Sequence, residues 1–200
     1  MAAVPVHLLA SAAAGRLAGA RVDEIAVFLG ASLPIRAANP RVRLGWLPGG
    51  WVRFAAPPDA PEADPLDQLP RGAGFAVALA GPAAVLGLSA CLLGPAEALL
   101  TAGAVFEQIA YGLDPQRVAG ALRAWEGLRE SPVTLAGVVL AKVAGFNLLP
   151  LPTLAGGHAL LALLRPPVPV RVALTVLGMT ALLVLGAGWA VGTARFFFGG

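Results

Sequence analysis

Charged residues are scarce in this chain: they make up 12% of its 200 residues, whereas 58% are hydrophobic. A soluble domain carries roughly 25% charged residues, so about half of the charge that a water-facing surface needs is missing. The apolar residues also fall in blocks long enough to cross a bilayer. We therefore predict an integral membrane protein and not an unusually apolar soluble one.

The sequence also lacks the features of a disulfide-rich scaffold and of a nucleic-acid-binding surface. Its single cysteine, Cys91, lies in an apolar block and has no second cysteine to pair with. No basic run is interleaved with aromatic residues, so we expect no nucleic-acid partner and interpret the basic residues as topology signals. Thirteen of the 14 basic residues are Arg. Together with the abundant Ala, Gly and Pro, this is typical of a GC-rich bacterial genome.

Four apolar stretches predict an all-α polytopic membrane protein with about four transmembrane helices in a single domain, residues 1–200. The first, residues 1–20, is a weak span, because Pro, His, Ser and Arg interrupt it. The others cover residues 75–105, 133–164 and 172–194; the third of the four contains a break and the fourth carries no charge.

The segments between these stretches have other patterns. Residues 21–54 alternate polar and apolar side chains around Leu47-Pro-Gly-Gly50, which predicts two or three short strands with a tight turn, a small membrane-associated β-hairpin or sheet. Residues 55–74 are rich in Pro and Asp and indicate a solvated loop. Residues 106–132 carry balanced charges and apolar residues at helical spacing, as in an amphipathic surface helix.

Loop charge predicts the orientation in the membrane, because cytoplasmic loops are enriched in Lys and Arg. The first inter-span loop is the most basic, with Arg21, Arg36, Arg41, Arg43, Arg53 and Arg71. The short loop 165–171 adds two more Arg and would lie on the same side. We therefore expect a multi-pass protein of the bacterial inner membrane with the β-hairpin region in the cytoplasm.

The break in the third span is the most informative segment of the chain. It runs Asn147-Leu-Leu-Pro-Leu-Pro-Thr-Leu-Ala-Gly-Gly-His158. Pro150 and Pro152 each remove a backbone donor, and Gly156-Gly157 allows another backbone to approach closely. In hydrocarbon the freed polar groups need partners inside the protein. A simple Pro kink needs fewer such residues, so we predict a buried site.

This segment resembles the third core helix of the site-2 protease family, the intramembrane zinc metalloproteases. The family pattern is Asn-x-x-Pro-x-Pro-x-Leu-Asp-Gly-Gly-His, and the chain departs from it only at Ala155. Arg21-Val-Asp-Glu-Ile and Arg43-Leu-Gly-Trp-Leu-Pro-Gly-Gly-Trp-Val resemble the family's β-hairpin, and Ala78-Leu-Ala-Gly-Pro82 resembles its Ala-Gly-Pro helix. The resemblance covers roughly residues 7–165, without the fourth span and without room for a PDZ domain.

The resemblance implies a zinc site that this chain lacks for the most part. The family uses His-Glu-x-x-His on the first helix for two ligands and the general base, and the Asp for a third ligand. The matching segment here is His7-Leu-Leu-Ala-Ser11. Leu8 therefore stands for the Glu, Ser11 for the second His, and Ala155 for the Asp.

We therefore expect no metal cofactor, no confident catalytic residue, and a non-catalytic binding or structural subunit of a membrane complex. Its partner would be a membrane protein or a transmembrane peptide segment in the bilayer. The expected binding residues are those of the broken helix: Asn147, Pro150, Pro152, Gly156, Gly157 and His158. The alternative is an active zinc metalloprotease with non-standard ligands, of which His7 and His158 are the candidates. A channel or transporter is not supported, because inverted repeats and a charged pore-lining series are absent.

Overall fold

The computed structural model describes residues 3–30, 33–35, 40–56, 65–126 and 131–198. Most of the described chain is helical, and a small sheet separates the first two helices. The elements are α1 (Ala3–Leu17), β1 (Val22–Leu29), β2 (Leu33–Ile35), β3 (Arg41–Leu44), β4 (Leu47–Phe54), α2 (Arg71–Leu93), α3 (Pro95–Gly103), α4 (Val105–Gln108), α5 (Pro115–Glu126), α6 (Pro132–Asn147), α7 (Ala155–Leu164) and α8 (Val168–Phe198). Two 3₁₀ helices cover Pro65–Gln68 and Ile109–Leu113.

The sheet has the strand order β2-β3-β1-β4, so β4 is an edge strand of the described sheet. The central strand β1 is parallel to β3 and antiparallel to β4, and β2 is antiparallel to β3. Helix α1 covers one face, where Leu8 and Ala12 pack with buried residues of β1. The carboxylate of buried Glu24 lies 3.6 Å from Arg43 Nε and 3.8 Å from Arg53 Nη1, and it therefore links β1 to both of its neighbours.

The predicted turn at Leu47-Pro-Gly-Gly50 is wrong, because all four residues belong to strand β4. The chain instead changes direction at Gly45 and Trp46, and β1 lies between β3 and β4. Four strands replace the expected two or three. Gly50 is needed for packing: a Cβ at this position would come within 2.6 Å of Leu8 Cδ1. Glycine at a point of close approach in an extended strand therefore gives the same local sequence pattern as a turn.

Helix α2 is the centre of the helical part and packs against α1, α6 and α7. Val85 of α2 is fully buried and packs with Leu140 and Ala144 of α6. The hydroxyl of buried Ser89 donates to the carbonyl oxygen of Gly137 at 2.8 Å. This interhelical bond satisfies a polar group that would otherwise lie unpaired in an apolar interior.

Among the described residues, two helices, α2 and α8, are long and apolar enough to cross a membrane. Helices α1, α6 and α7 are apolar but have 15, 16 and 10 residues, fewer than the roughly 20 of a full span. The predicted span 75–105 is divided at Gly94-Pro95 into α2 and α3. The break in the third predicted span is present and separates α6 from α7, whereas a count of four spans stays a prediction.

Helices form in the segments outside the sheet where the structure describes them. The predicted amphipathic segment 106–132 contains the 3₁₀ helix Ile109–Leu113 and α5, and the end of the predicted loop 55–74 contains the 3₁₀ helix Pro65–Gln68 and the first residues of α2. The interpretation of these segments as a surface helix and a solvated loop stays a prediction. Residues 57–64 of the Pro- and Asp-rich loop lie outside the described residues. Arg171 at the start of α8 forms a 2.7 Å ion pair with Asp67. Segments 65–70 and 165–171 therefore lie close together in the structure, whereas the orientation of the loops in the membrane stays a prediction.

Candidate functional site

A cavity of about 450 Å³ lies between α1, α2, strand β4 and the segment that joins α6 to α7. The structure brings together here the four residues at the positions that correspond to the zinc ligands and the general base, and two of the expected binding residues. These are His7, Leu8, Ser11, Ala155, Asn147 and His158. Residues of α1 and α7, which are far apart in the sequence, thus line one space, because both helices pack on α2.

Two glycines allow the break between α6 and α7 to fold back on itself. Leu148 caps α6. The chain then turns with backbone hydrogen bonds between residues close in sequence: Leu151 N donates to Leu149 O and Leu154 N to Leu151 O, both at 2.8 Å. A Cβ on Gly156 or Gly157 would overlap backbone atoms of residues 148–152. The close approach that the Gly-Gly pair predicts is therefore made by the preceding loop and not by a separate helix.

Four expected binding residues lie outside the cavity lining: Pro150, Pro152, Gly156 and Gly157. Pro150 is exposed, and Pro152 approaches α8, where a Cβ on Gly178 would lie 2.9 Å from its Cδ. Both glycines are buried. Their placement favours a role in shaping the loop, and their role in binding stays a prediction.

The polar groups of the cavity differ in how they are satisfied. Asn147 Nδ2 donates to Val143 O of its own helix at 2.9 Å, which leaves its amide oxygen as an acceptor. His158 Nδ1 lies 3.0 Å from Leu154 O; a carbonyl only accepts, so Nδ1 is the donor of this hydrogen bond. Thr153 Oγ1 is buried and has no hydrogen-bond partner in the described chain.

Several residues that line the cavity were not predicted from the sequence as binding or catalytic residues. The inner part of β4 contributes Trp51, Val52, Arg53 and Phe54, and the loop contributes Thr153. The position of β4 depends on its pairing with β1, which no local pattern specifies. Thr153 lies inside the Asn147–His158 motif, and its small polar side chain between Pro152 and Leu154 was the available signal.

Gly81 of α2 sets the position of His7 and Ser11. A Cβ at Gly81 would lie 2.6 Å from Ser11 Oγ and 2.7 Å from His7 Cε1. The α2 backbone thus packs directly on the face of α1 that carries the degenerate motif. Glycine is required here for close approach and not for an unusual backbone angle.

We expect Gly81→Ala to destabilise the fold by about 1–3 kcal/mol, because the added methyl overpacks the α1–α2 contact. The atoms that it meets belong to side chains, so α1 can yield in part. Gly87→Ala is the matched control on the same helix, since no atom lies within 4 Å of its added Cβ. Thermal unfolding in detergent micelles measures both variants. Equal melting temperatures for the two would contradict the packing argument.

The residues present do not fit a zinc ion. A catalytic zinc site needs three protein ligands and a position for water. Among the described residues, no group of three or more His, Cys, Asp and Glu side chains is close enough to hold a metal. At the cavity, Leu8 and Ala155 offer no donor atom, and Ser11 is a neutral hydroxyl. His7 and His158 are the two imidazoles of this space.

One comparison with known proteins identifies a family. The model of Peptidase family M50 matches residues 1–187. The match extends beyond the expected limit near residue 165 and includes most of α8, so the expectation that the fourth span lies outside the family is wrong. No curated protein and no solved structure gives a significant match. The family model covers far more than half of the chain, and the chain therefore belongs to Peptidase family M50, the site-2 protease family.

Proposed function

We propose that this protein is a non-catalytic member of its family that binds an extended segment of a membrane protein without cutting it. The observation that carries the proposal is that edge strand β4, Asn147 and Thr153 border the same cavity. An edge strand can accept a further strand by main-chain pairing. Asn147, which also lines the cavity, can bond the main chain of such a strand.

The absence of catalysis is proposed from the side chains at the positions of the family's chemistry. Leu8 cannot act as a general base, and the loss of that function alone costs on the order of 10²–10⁴ in rate. Leu8 is also 5% exposed and packs in the core between α1 and the sheet. Its position is thus used for folding, which supports a binding function and not a catalytic one.

The shape and polarity of the cavity support an extended peptide as the ligand. Trp51 of β4 is 40% exposed and offers apolar surface beside the edge. Arg53 is the charged side chain of the lining, and Glu24 is its ion-pair partner in the sheet.

The membrane location supports a membrane protein as the partner. Family membership and the two long apolar helices both indicate a membrane protein. We further propose the bacterial inner membrane, with the sheet on the cytoplasmic side. Six of the 13 arginines lie between the end of α1 and the first residue of α2, and cytoplasmic loops are enriched in basic residues. A segment that leaves the bilayer on this side would meet β4 directly.

Photocrosslinking in intact membranes tests the binding proposal. A benzophenone amino acid at Trp51, on the β4 edge, is expected to give a discrete covalent adduct with one membrane protein. The same group at Ile35 is the matched control, because Ile35 is 47% exposed on β2 at the opposite edge of the sheet. Asn147→Leu should lower the adduct yield about tenfold, the effect of losing one hydrogen bond to a ligand.

Thr180→Val is the control for the Asn147 change. Thr180 also bonds the carbonyl of residue i−4 in its own helix, at 2.9 Å from Val176 O, but it lies on α8 away from the cavity. Its adduct yield should equal that of the unsubstituted chain. Equal adducts at Trp51 and Ile35, or a cleaved partner in place of an adduct, would overturn the proposal.

A further inference from the structure

A second cavity of about 440 Å³ lies on the other side of α6, between α4, α6 and α8. Its lining is apolar apart from two side chains, Gln108 and Lys142. The apolar lining consists of Val105, Ile109, Val143, Phe146, Leu182, Gly186 and Trp189. Its volume falls within the range of about 300–1,000 Å³ that is common for small-molecule sites.

Lys142 is the charged group of this cavity and has no acidic partner among the described residues. Its Nζ donates to the neutral Gln108 Oε1 at 2.6 Å. The nearest acid in the sequence to Gln108, Glu107, instead accepts from the Tyr111 hydroxyl at 3.2 Å. An ionisable side chain within an apolar helix is costly unless it pairs, and marks a functional position. This bond uses one of the three hydrogens of the ammonium group, and the other two have no hydrogen-bond partner among the described residues.

We propose that this cavity binds one acyl chain of an anionic phospholipid whose phosphate pairs with Lys142. The apolar walls suit a hydrocarbon chain and the single cation suits the headgroup, so the charges are complementary. α8 forms one wall and is largely exposed along its length, as expected of a helix in contact with lipid. A water-soluble anion would find no further polar side chain in this lining besides Gln108.

This lipid site is independent of the peptide site. Lys142 and Phe146 face the second cavity, whereas Asn147 faces the first. The proposal therefore stands or falls separately from the binding function of β4.

Quenching of Trp189 by brominated lipids tests the proposal, because Trp189 forms part of the cavity wall. The full chain with Trp46→Phe, Trp51→Phe and Trp125→Phe, which leaves Trp189 as its one tryptophan, is placed in lipid nanodiscs. Phosphatidylglycerol brominated in its acyl chains is compared with equally brominated phosphatidylcholine. We expect half-maximal quenching at about tenfold lower mole fraction for the anionic lipid, the effect of one charge-assisted bond.

Lys142→Met should abolish this preference, and Arg123→Gln, which removes an exposed charge from α5, should leave it unchanged. Gly186→Leu fills the cavity and keeps Lys142; it should weaken quenching by both lipids. Gly87→Leu is its matched control, since neither glycine has an atom within 4 Å of an added Cβ. Equal quenching by the two lipids in the unsubstituted cavity would overturn the proposal, as would unchanged quenching in Gly186→Leu.

Discussion

Replacing Gly157 with alanine is expected to destabilise the protein by about 3 kcal/mol or more, near the upper end for overpacking. The added methyl would overlap the carbonyl group of Leu151 and lie 2.5 Å from Pro152 N. All of these atoms are backbone, so no side-chain rotation can relieve the clash. The loop would have to leave the first turn of α7, where His158 N donates to Leu154 O at 2.9 Å.

The measurement is thermal unfolding in detergent, together with the yield of monodisperse protein. Gly87→Ala again serves as control, and we expect it to raise stability by about 0.5–1 kcal/mol because Ala is the better helix former. Gly81→Ala should fall between the two, since its contacts are side-chain atoms. If Gly157→Ala melted like Gly87→Ala, the backfolded loop would not exist as described.

The loop between α6 and α7 could be predicted from the local sequence. Two prolines and an adjacent Gly-Gly pair predict that a helix breaks between residues 147 and 158, and the structure places the break at residues 148–154. Both facts follow from lost donors and absent Cβ atoms, which act within a few residues. The residue types do not specify which backbone enters the space above the glycines; the structure shows that it is the preceding loop, residues 148–152.

The order of the strands in the sheet could not be predicted from the local sequence. Alternating side chains predict strands in residues 21–54, and strands are present there. Their order depends on β1 pairing with β3 in parallel and with β4 in antiparallel register. That choice is made by burial of β1 between two neighbours and under α1, which residue patterns do not encode. The Pro-Gly-Gly sequence therefore predicted a turn where a strand runs.

The two cavities differ in how much of them the sequence predicts. The motif spacing and the family resemblance predict His7, Ser11, Asn147 and Ala155 as one site, and these residues line one cavity. The lipid cavity had a single signal, a lone Lys142 within an apolar helix. Its walls come from three helices, so its volume could not be deduced before their packing was known.

Introducing two ligands is expected to give this protein a zinc site with three protein ligands. The double variant Ser11→His, Ala155→Asp would add an imidazole and a carboxylate to His7, around the cavity that residues 7, 11 and 155 already share. Three such ligands match those of a catalytic zinc site. We expect about one zinc per purified chain in the double variant and none in the unsubstituted protein, because two imidazoles alone hold the metal too weakly.

Metal content by mass spectrometry measures the effect, and protein stability provides a second readout. Zinc should raise the melting temperature of the double variant and not that of the unsubstituted chain, since a ligand that binds the folded state stabilises it. The triple variant His7→Ala, Ser11→His, Ala155→Asp is the matched control and should lose the metal. Leu8 is left in place throughout, because it packs in the core of α1 and the sheet, so binding is tested without restoring the general base.

The opposite result would favour the alternative of an active protease. About one zinc in the unsubstituted chain, lost on His7→Ala or His158→Ala, would show that the two imidazoles hold a metal together with further donors. If neither protein bound zinc while both remained folded, α1 and the α6–α7 loop would be spaced too widely for a metal. In that case the cavity would have diverged in shape as well as in side chains, and β4 would still carry the binding function that we propose.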